Sequence, residues 1–187
     1  MADSNITKKA LANALKQLMN EKRFSKINIS DICERCDMNR KSFYYHFRDK
    51  YDLMNWIFDI EFIPVMANRN DGSEQGRLKR IEYMLDYFYE NRNFYRKALE
   101  VSGQNSFTEH FQELLYKAIS VQLREMYPQE EVTDFQINFF CDAIIVAMQR
   151  WITDKNCMPP REFGTQLYNC VRLIAMRYED IDESLFQ

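Results

Sequence analysis

The chain has 187 residues, 46% hydrophobic and 28% charged, which places it among globular proteins and excludes a disordered one. Its 4 glycines and 4 prolines argue for helices and against a barrel or sandwich, and the longest strictly apolar run, Ala143 to Met148, is too short to cross a membrane. The net charge of −3 is unevenly placed: residues 1–50 hold 11 Lys/Arg against 6 Asp/Glu, a net of +5, while the remainder carries −8, so a basic head sits on an acidic body and concentrates positive field where a polyanion would be met.

The N-terminal MADSNITKKALANALKQL is amphipathic and lacks the continuous apolar stretch of a signal peptide, so a cytoplasmic protein is expected. A first helix is read over Ile6–Lys22, with Ile6, Ala10, Leu11, Ala14, Leu15, Leu18 and Met19 on one stripe. Phe24, Ile27 and Ile29 carry the core through the connection. A short helix follows over Ser30–Cys36, with Ser30 or Asn28 as its N-cap and Asp31 in its first turn. Asp37 and Met38 form a turn. Asn39 caps the next helix, Arg40–Phe47. Phe43 and Phe47, four apart, point inward with Tyr44 beside them, and Arg40, Lys41, Ser42, Tyr45 and His46 point outward. So short a helix needs a neighbour to hold it, and the first helix supplies one. What is left outside is a rigid, basic, hydrogen-bonding surface of the kind that enters a DNA major groove.

From Ser30 to Leu53 the residues resemble the DNA-binding domain of the TetR/AcrR regulators. The resemblance rests on Ile32-Cys33, Cys36, Asp37-Met38, Asn39, Ser42-Phe43-Tyr44-Tyr45-His46-Phe47, Lys50 and Leu53, and it extends over roughly residues 6 to 60. One departure is the turn, where the family has Gly and this chain has Asp37; the position wants φ > 0, which Asp tolerates better than most residues. The resemblance implies a helix-turn-helix, three-helix DNA-binding domain at residues 1–50 and a helical-bundle domain for effector binding and dimerisation at 51–187. It implies that Ser30, Tyr44 and Lys50 hold phosphates. Arg40, Lys41, Ser42 and Tyr45 then meet base edges or nearby phosphates, with Asn39 and His46 in the same surface.

Asp49 is read as the cap of a fourth helix that carries Leu53, Met54, Trp56, Ile57, Phe58 and Phe62 and stops near Pro64. Asn68–Gly76 is polar and reads as a linker. Helices are then expected over Leu78–Asn91, with Leu78, Ile81, Leu85 and Phe88 on one face, and over Phe94–Val101, broken by Ser102–Ser106. Further helices are expected over Phe107–Met126, from the cap Thr133 to Asp154, and from Pro159-Pro160 onward. The whole is all-α, with about nine helices.

The body is rich in aromatics, most of which are core. Tyr83, Tyr87, Phe107, Phe111, Phe140 and Ile144 are candidates for an effector pocket, because apolar walls with a few hydroxyls suit a mostly apolar small molecule. The last two long helices are expected to dimerise, as the resemblance implies, through Phe139, Ile145, Trp151, Leu167, Val171, Ile174 and Tyr178. The body, with its short helix ending in SGQNSF, also resembles the branch that includes dihydroxyacetone-kinase regulators, which offers a protein effector as the alternative to a small-molecule one.

Catalytic chemistry is not legible. The five cysteines form no disulfide framework, and Cys33-x-x-Cys36 lacks a second pair or a His to complete a metal site. There is no phosphate loop, nucleophile elbow or His-Glu-x-x-His. His110 reads as a surface or pocket-lining residue. The expectation is a DNA-binding transcriptional regulator without cofactor or metal, a homodimer on palindromic double-stranded DNA, and a repressor released by an unknown small-molecule or protein effector. The alternatives are an activator or co-regulator working with a protein partner and, remotely, an enzyme housed in the helical body.

Overall fold

Apolar residues recur at helical spacing all along the chain, and the local structure follows them. The computed structural model describes residues 2–67, 74–100 and 106–178; among these are nine α-helices, one 3₁₀ turn and no strand. In chain order they are α1 (Ala2–Glu21), the turn Phe24–Lys26, α2 (Ile29–Arg35), α3 (Arg40–His46), α4 (Lys50–Ala67), α5 (Glu74–Glu90), α6 (Arg92–Leu99), α7 (Phe107–Met126), α8 (Asp134–Thr153) and α9 (Pro160–Tyr178).

The head is α1 to α3. Leu11, Leu15, Leu18 and Met19 of α1 are buried against Ile32 and Cys33 of α2 and Phe43 of α3. Ile6, read as part of the same stripe, lies outside it on the exposed first turns of α1. Asp49 does cap α4: its Oδ1 accepts from the Tyr51 and Asp52 amides at 2.8 and 2.9 Å. Pro64 does not stop that helix, which runs on to Ala67. A proline frees the carbonyl four residues back, here that of Ile60 on the partly exposed side of α4, where water can satisfy it. α4 is buried over a wide face, with Leu53, Met54, Ile57 and Phe58 inaccessible to solvent. It touches α1 on one side and α5 and α7 on the other. The apolar core is therefore continuous from Leu11 in α1 to Phe163 in α9, without a break at the expected boundary between residues 50 and 51.

In the body Phe58 is the centre of an aromatic cluster, with Phe62 stacked at 4.5 Å and Phe107, Phe111, Tyr95 and Phe88 around it at 5.1 to 6.1 Å. Such ring pairs add roughly 0.5–1.5 kcal/mol each beyond burial. Of the face expected on α5, Leu85 and Phe88 are buried but Ile81 is exposed, because α9 and α4 cover only one side of that helix. The expected linker loses its last three residues to α5, which begins at Glu74; residues 68–73 lie outside those described. Gly164 lets α9 approach α5 closely: a Cβ there would come to 3.0 Å from Leu85 Cδ1. α8 begins with a capping box, Thr133 and Gln136 each bonding the other's backbone N–H. Its Ile137, Cys141, Ile145, Met148, Trp151 and Ile152 face inward, while Phe135, Phe139 and Val146 are left in solvent.

Candidate nucleic-acid interface and its link to the body

Local caps set the geometry of α2 and α3. Asn28, rather than Ser30, is the N-cap of α2: its Oδ1 accepts from the Asp31 amide and the Asp31 carboxylate accepts from the Asn28 amide, both at 2.9 Å. That bond, with Lys22 Nζ at 2.7 Å, holds the Asp31 carboxyl below its ordinary pKa. Asp37 takes φ 53°, so the carboxylate residue occupies the left-handed turn in place of glycine. Asn39 then caps α3, accepting from the Ser42 amide at 2.8 Å. Phe43 and Phe47 are buried and tilt against each other at 5.9 Å, which pins one face of α3 and turns the other outward.

On that outer face stand Arg40 and Lys41, Tyr44 at 58% exposure, Tyr45 at 84% and, less exposed, Ser42 and His46. Tyr44 rests edge-on against Phe43 and Tyr45 against His46, so both phenols project from firm bases. The Arg40 guanidinium donates to Ser30 Oγ, which ties the start of α3 to α2 and brings these two expected contact residues together. Asn39 is occupied by its cap. Lys50 is placed otherwise than expected. Its ammonium turns inward, donating to the carbonyls of Ile27 at 2.7 Å and Phe24 at 2.9 Å, and lies over the Phe24 ring. Burial lowers its pKa. It braces the entry to α2 against α4 instead of standing free for a phosphate.

Two polar links, neither of them legible from spacing, join α1 of the head to the body, and hydrogen bonds within the body back them. Lys16 of α1 bonds both oxygens of Glu61 in α4 at 2.6 Å. Glu61 also accepts from the Tyr87 hydroxyl of α5 at 3.3 Å, and that hydroxyl lies 2.6 Å from the hydroxyl of the fully buried Tyr95 in α6. Burial pushes both phenols well above their ordinary pKa, so they stay protonated. Lys97 of α6 donates to the carbonyls of Met19, Asn20 and Lys22, capping the end of α1. His110 of α7, with its Nε2 2.7 Å from Asp59 Oδ1 of α4, links these two helices and is not an isolated surface residue.

The candidate pocket residues lie in different settings. Phe107 and Phe111 are fully buried and stacked at 5.9 Å in the Phe58 cluster. Tyr87 is committed to Glu61 and Tyr95, Tyr83 is partly exposed, and Phe140 and Ile144 are half-buried. An open cleft of about 540 Å³ lies elsewhere, lined by Asn20, Asn93, Arg96 and Lys97. Of the expected dimer residues, Phe139 is 54% exposed and Leu167 half-buried. Ile145 and Trp151 belong to the protomer's own core: Trp151 stacks on Phe163 at 4.3 Å and donates to the Met158 carbonyl at 2.8 Å. The side chains of Val171, Ile174 and Tyr178 lie outside those described. Phe135, outside the expected dimer set, is 80% exposed and continues the outward apolar line of Phe139 and Val146. Its position four residues before Phe139 was the available signal.

Residues 11–56 match the family model described as "Bacterial regulatory proteins, tetR family", and residues 78–173 match one described as "Transcriptional regulator C-terminal region". The chain is 31% identical over 144 residues to the HTH-type dhaKLM operon transcriptional activator DhaS of Lactococcus lactis subsp. lactis (strain IL1403), covering 75% of this chain and 74% of that one. Among solved structures it is similar to a dihydroxyacetone kinase operon activator DhaS, with 25% identity, a TM-score of 0.60 and 90% and 95% of the two chains covered. A TetR transcriptional regulator from Streptococcus agalactiae 2603V shares the fold, with a TM-score of 0.72, 22% identity and 91% and 96% covered.

Proposed function

The chain belongs to the TetR family and is a DNA-binding transcriptional regulator, and from that premise we propose that it acts as a homodimer on a palindromic operator, with residues 1–50 reading DNA and residues 51–187 dimerising and receiving the signal. The observation that carries the reading is α3. Its two phenylalanines are buried while Arg40, Lys41, Tyr44 and Tyr45 are exposed on one rigid, capped face. Arg40 and Lys41, at the N-terminal end, meet base edges or nearby phosphates, and Tyr44 and Ser30 hold the backbone. Two such helices are needed, because one reads only a few base pairs, and they must sit about one helical turn (roughly 34–36 Å) or a multiple of it apart. The exposed line Phe135, Phe139 and Val146 on α8 is the surface that a second protomer covers.

The body is regulatory in this reading rather than catalytic, and the protein works in the cytoplasm, where its operator is. Control passes through α4, which Glu61 ties to both α1 and α5. The sign of regulation has two readings. Release of a repressor by an effector is the first. Activation is favoured by one observation, that the relative at 31% identity is named an operon activator. Loss of the chain from its host distinguishes them: transcription from the operator-bearing promoter rises for a repressor and falls for an activator.

The binding reading is tested by titrating operator-bearing duplex at several salt concentrations. The logarithm of affinity is expected to fall with the logarithm of salt, at a slope of about −0.9 per phosphate neutralised. Affinity independent of salt, or no preference for any duplex selected from a random pool, would overturn it.

A further inference from the structure

The cleft between the end of α1 and α6 has an unusual lining for this acidic body: two cations, Arg96 and Lys97, two amides, Asn20 and Asn93, and, among the described residues, no carboxylate. Arg96 is incompletely satisfied. One terminal nitrogen reaches Asn93 Oδ1 at 3.3 Å, while its Nε is shut off from solvent and has no hydrogen-bond partner among the described residues. A ligand in the cleft can meet only the terminal nitrogens of this guanidinium, since the Nε is enclosed. Lys97, beside it, is turned to the carbonyls of Met19, Asn20 and Lys22. Its partners are neutral dipoles, so its full positive charge remains uncompensated by any carboxylate in the cleft.

We propose that this cleft binds a small oxyanion, a phosphate monoester or a polycarboxylate of metabolite size, and that its occupancy is felt by the head through Lys97. The volume lies in the range of small-molecule sites. A guanidinium presents a planar fork that matches two oxygens of a phosphate or carboxylate, and the ammonium beside it adds a point charge. The amides of Asn20 and Asn93 supply neutral donors. The named lining side chains are all polar or charged, so a charged oxyanion finds more partners there than an aromatic or aliphatic ligand would. An ammonium has three protons to share. An oxyanion that takes part of Lys97 draws it from the end of α1 and loosens the body's hold on the head.

Binding of the oxyanion stands apart from the regulator reading; only its effect on operator binding rests on it. The experiment begins with the full chain without DNA. Inorganic phosphate, and separately citrate, is titrated by calorimetry in chloride buffer of matched ionic strength. Saturable binding of one ion per protomer is expected, weakened about tenfold or more by Arg96→Gln, the loss of one charge-assisted contact. Asn93→Ala, on the exposed rim, is the second variant and weakens binding less. A wild-type chain that gives no saturable signal beyond sodium chloride overturns the proposal, and so does equal binding by a folded Arg96→Gln variant. In the second arm, operator affinity is measured with and without phosphate at matched ionic strength. A shift present in the wild type and absent in Arg96→Gln supports the coupling, and no shift despite binding overturns it. If Arg96→Gln weakens operator binding in chloride alone and phosphate never binds the free chain, the cleft serves the DNA backbone and the proposal fails. Failure of the wild type to bind any duplex would instead strike at the regulator reading, leaving the calorimetric arm intact.

Discussion

In the head, Phe43 and Phe47 are buried and Arg40, Lys41, Tyr44 and Tyr45 are left outside; in the body, Tyr95 and Tyr87 are drawn inside and Phe135, Phe139 and Val146 are left outside. Both regions bury rings, but they present opposite chemistries to the surroundings. Exposed cations and phenols on a rigid face are stable in water and suit a polyanion. An exposed row of hydrocarbon is not at rest in water and suits a surface of its own kind. The difference teaches what each region's surface is suited to: a polyanion for the head and, in the dimer proposed above, a second copy for the body. It also explains why the two are joined by polar links. The Glu61–Lys16 ion pair and the Lys97 cap are directional, and the Tyr87 hydroxyl holds Glu61 from within the body, so they fix an orientation that apolar contact alone would leave loose.

The comparison breaks most completely at Phe43. Phe43→Ala removes a fully buried ring shared by α3 and α1 and is expected to cost about 3–5 kcal/mol. Denaturant unfolding should show that loss, and operator binding should disappear because α3 has lost its anchor. A variant with wild-type stability would mean that α3 is held in another way. The body's counterpart is Phe139→Glu, a charge placed on the outward apolar row. It should weaken self-association by about 2 kcal/mol or more while leaving helicity unchanged. Sedimentation at several concentrations checks it; an unaltered dimer would remove α8 from the interface.

Finer tests separate the roles within the head. Arg40→Ala should relax base preference by roughly 1–3 kcal/mol at one base pair if its contact is bidentate, whereas Tyr44→Phe should weaken all duplexes alike, since a phenol on a phosphate carries no sequence information. Binding-site selection from a random pool distinguishes a changed motif from a uniform loss. The smallest effect lies at the cap of α2. Asn28→Ala is expected to cost ~1 kcal/mol. Acid should act in the same place. The Asp31 carboxyl is held below its ordinary value of about 3.9 by the Asn28 amide and Lys22, so its contribution is complete above that value and is lost as pH falls through the lowered one. Asp31→Asn should flatten that part of the acid-stability curve; an unchanged curve would show that the cap does not depend on the charge.

Much of this was legible beforehand where the deciding residues are close in the chain. Asn39 bonds Ser42, Thr133 bonds Gln136, Asp49 bonds Tyr51 and Asp52, and α7 begins and ends where its apolar spacing does. The outward set on α3 was legible to the same depth, since it follows from the four-residue step between Phe43 and Phe47. Lys50 and Ser30 were harder. Lys50 turns to carbonyls in a segment more than twenty residues earlier, and the choice of Asn28 over Ser30 depended on where the backbone left its extended conformation.

The sequence by itself determined most of the helices, the caps at Asn39, Asp49 and Thr133, the left-handed turn at Asp37 and the charge divide, because these depend on groups within one or two turns of each other. Only the tertiary structure decided which aromatics fill the body and which stand outside it, that Ile145 and Trp151 serve the protomer's own core, and that Glu61 and Lys97 clasp the head. The clasp joins residues 45 to 78 positions apart. Whether a side chain at such a separation meets a partner is set by how the helices pack, since periodicity gives a residue its face but not its neighbour.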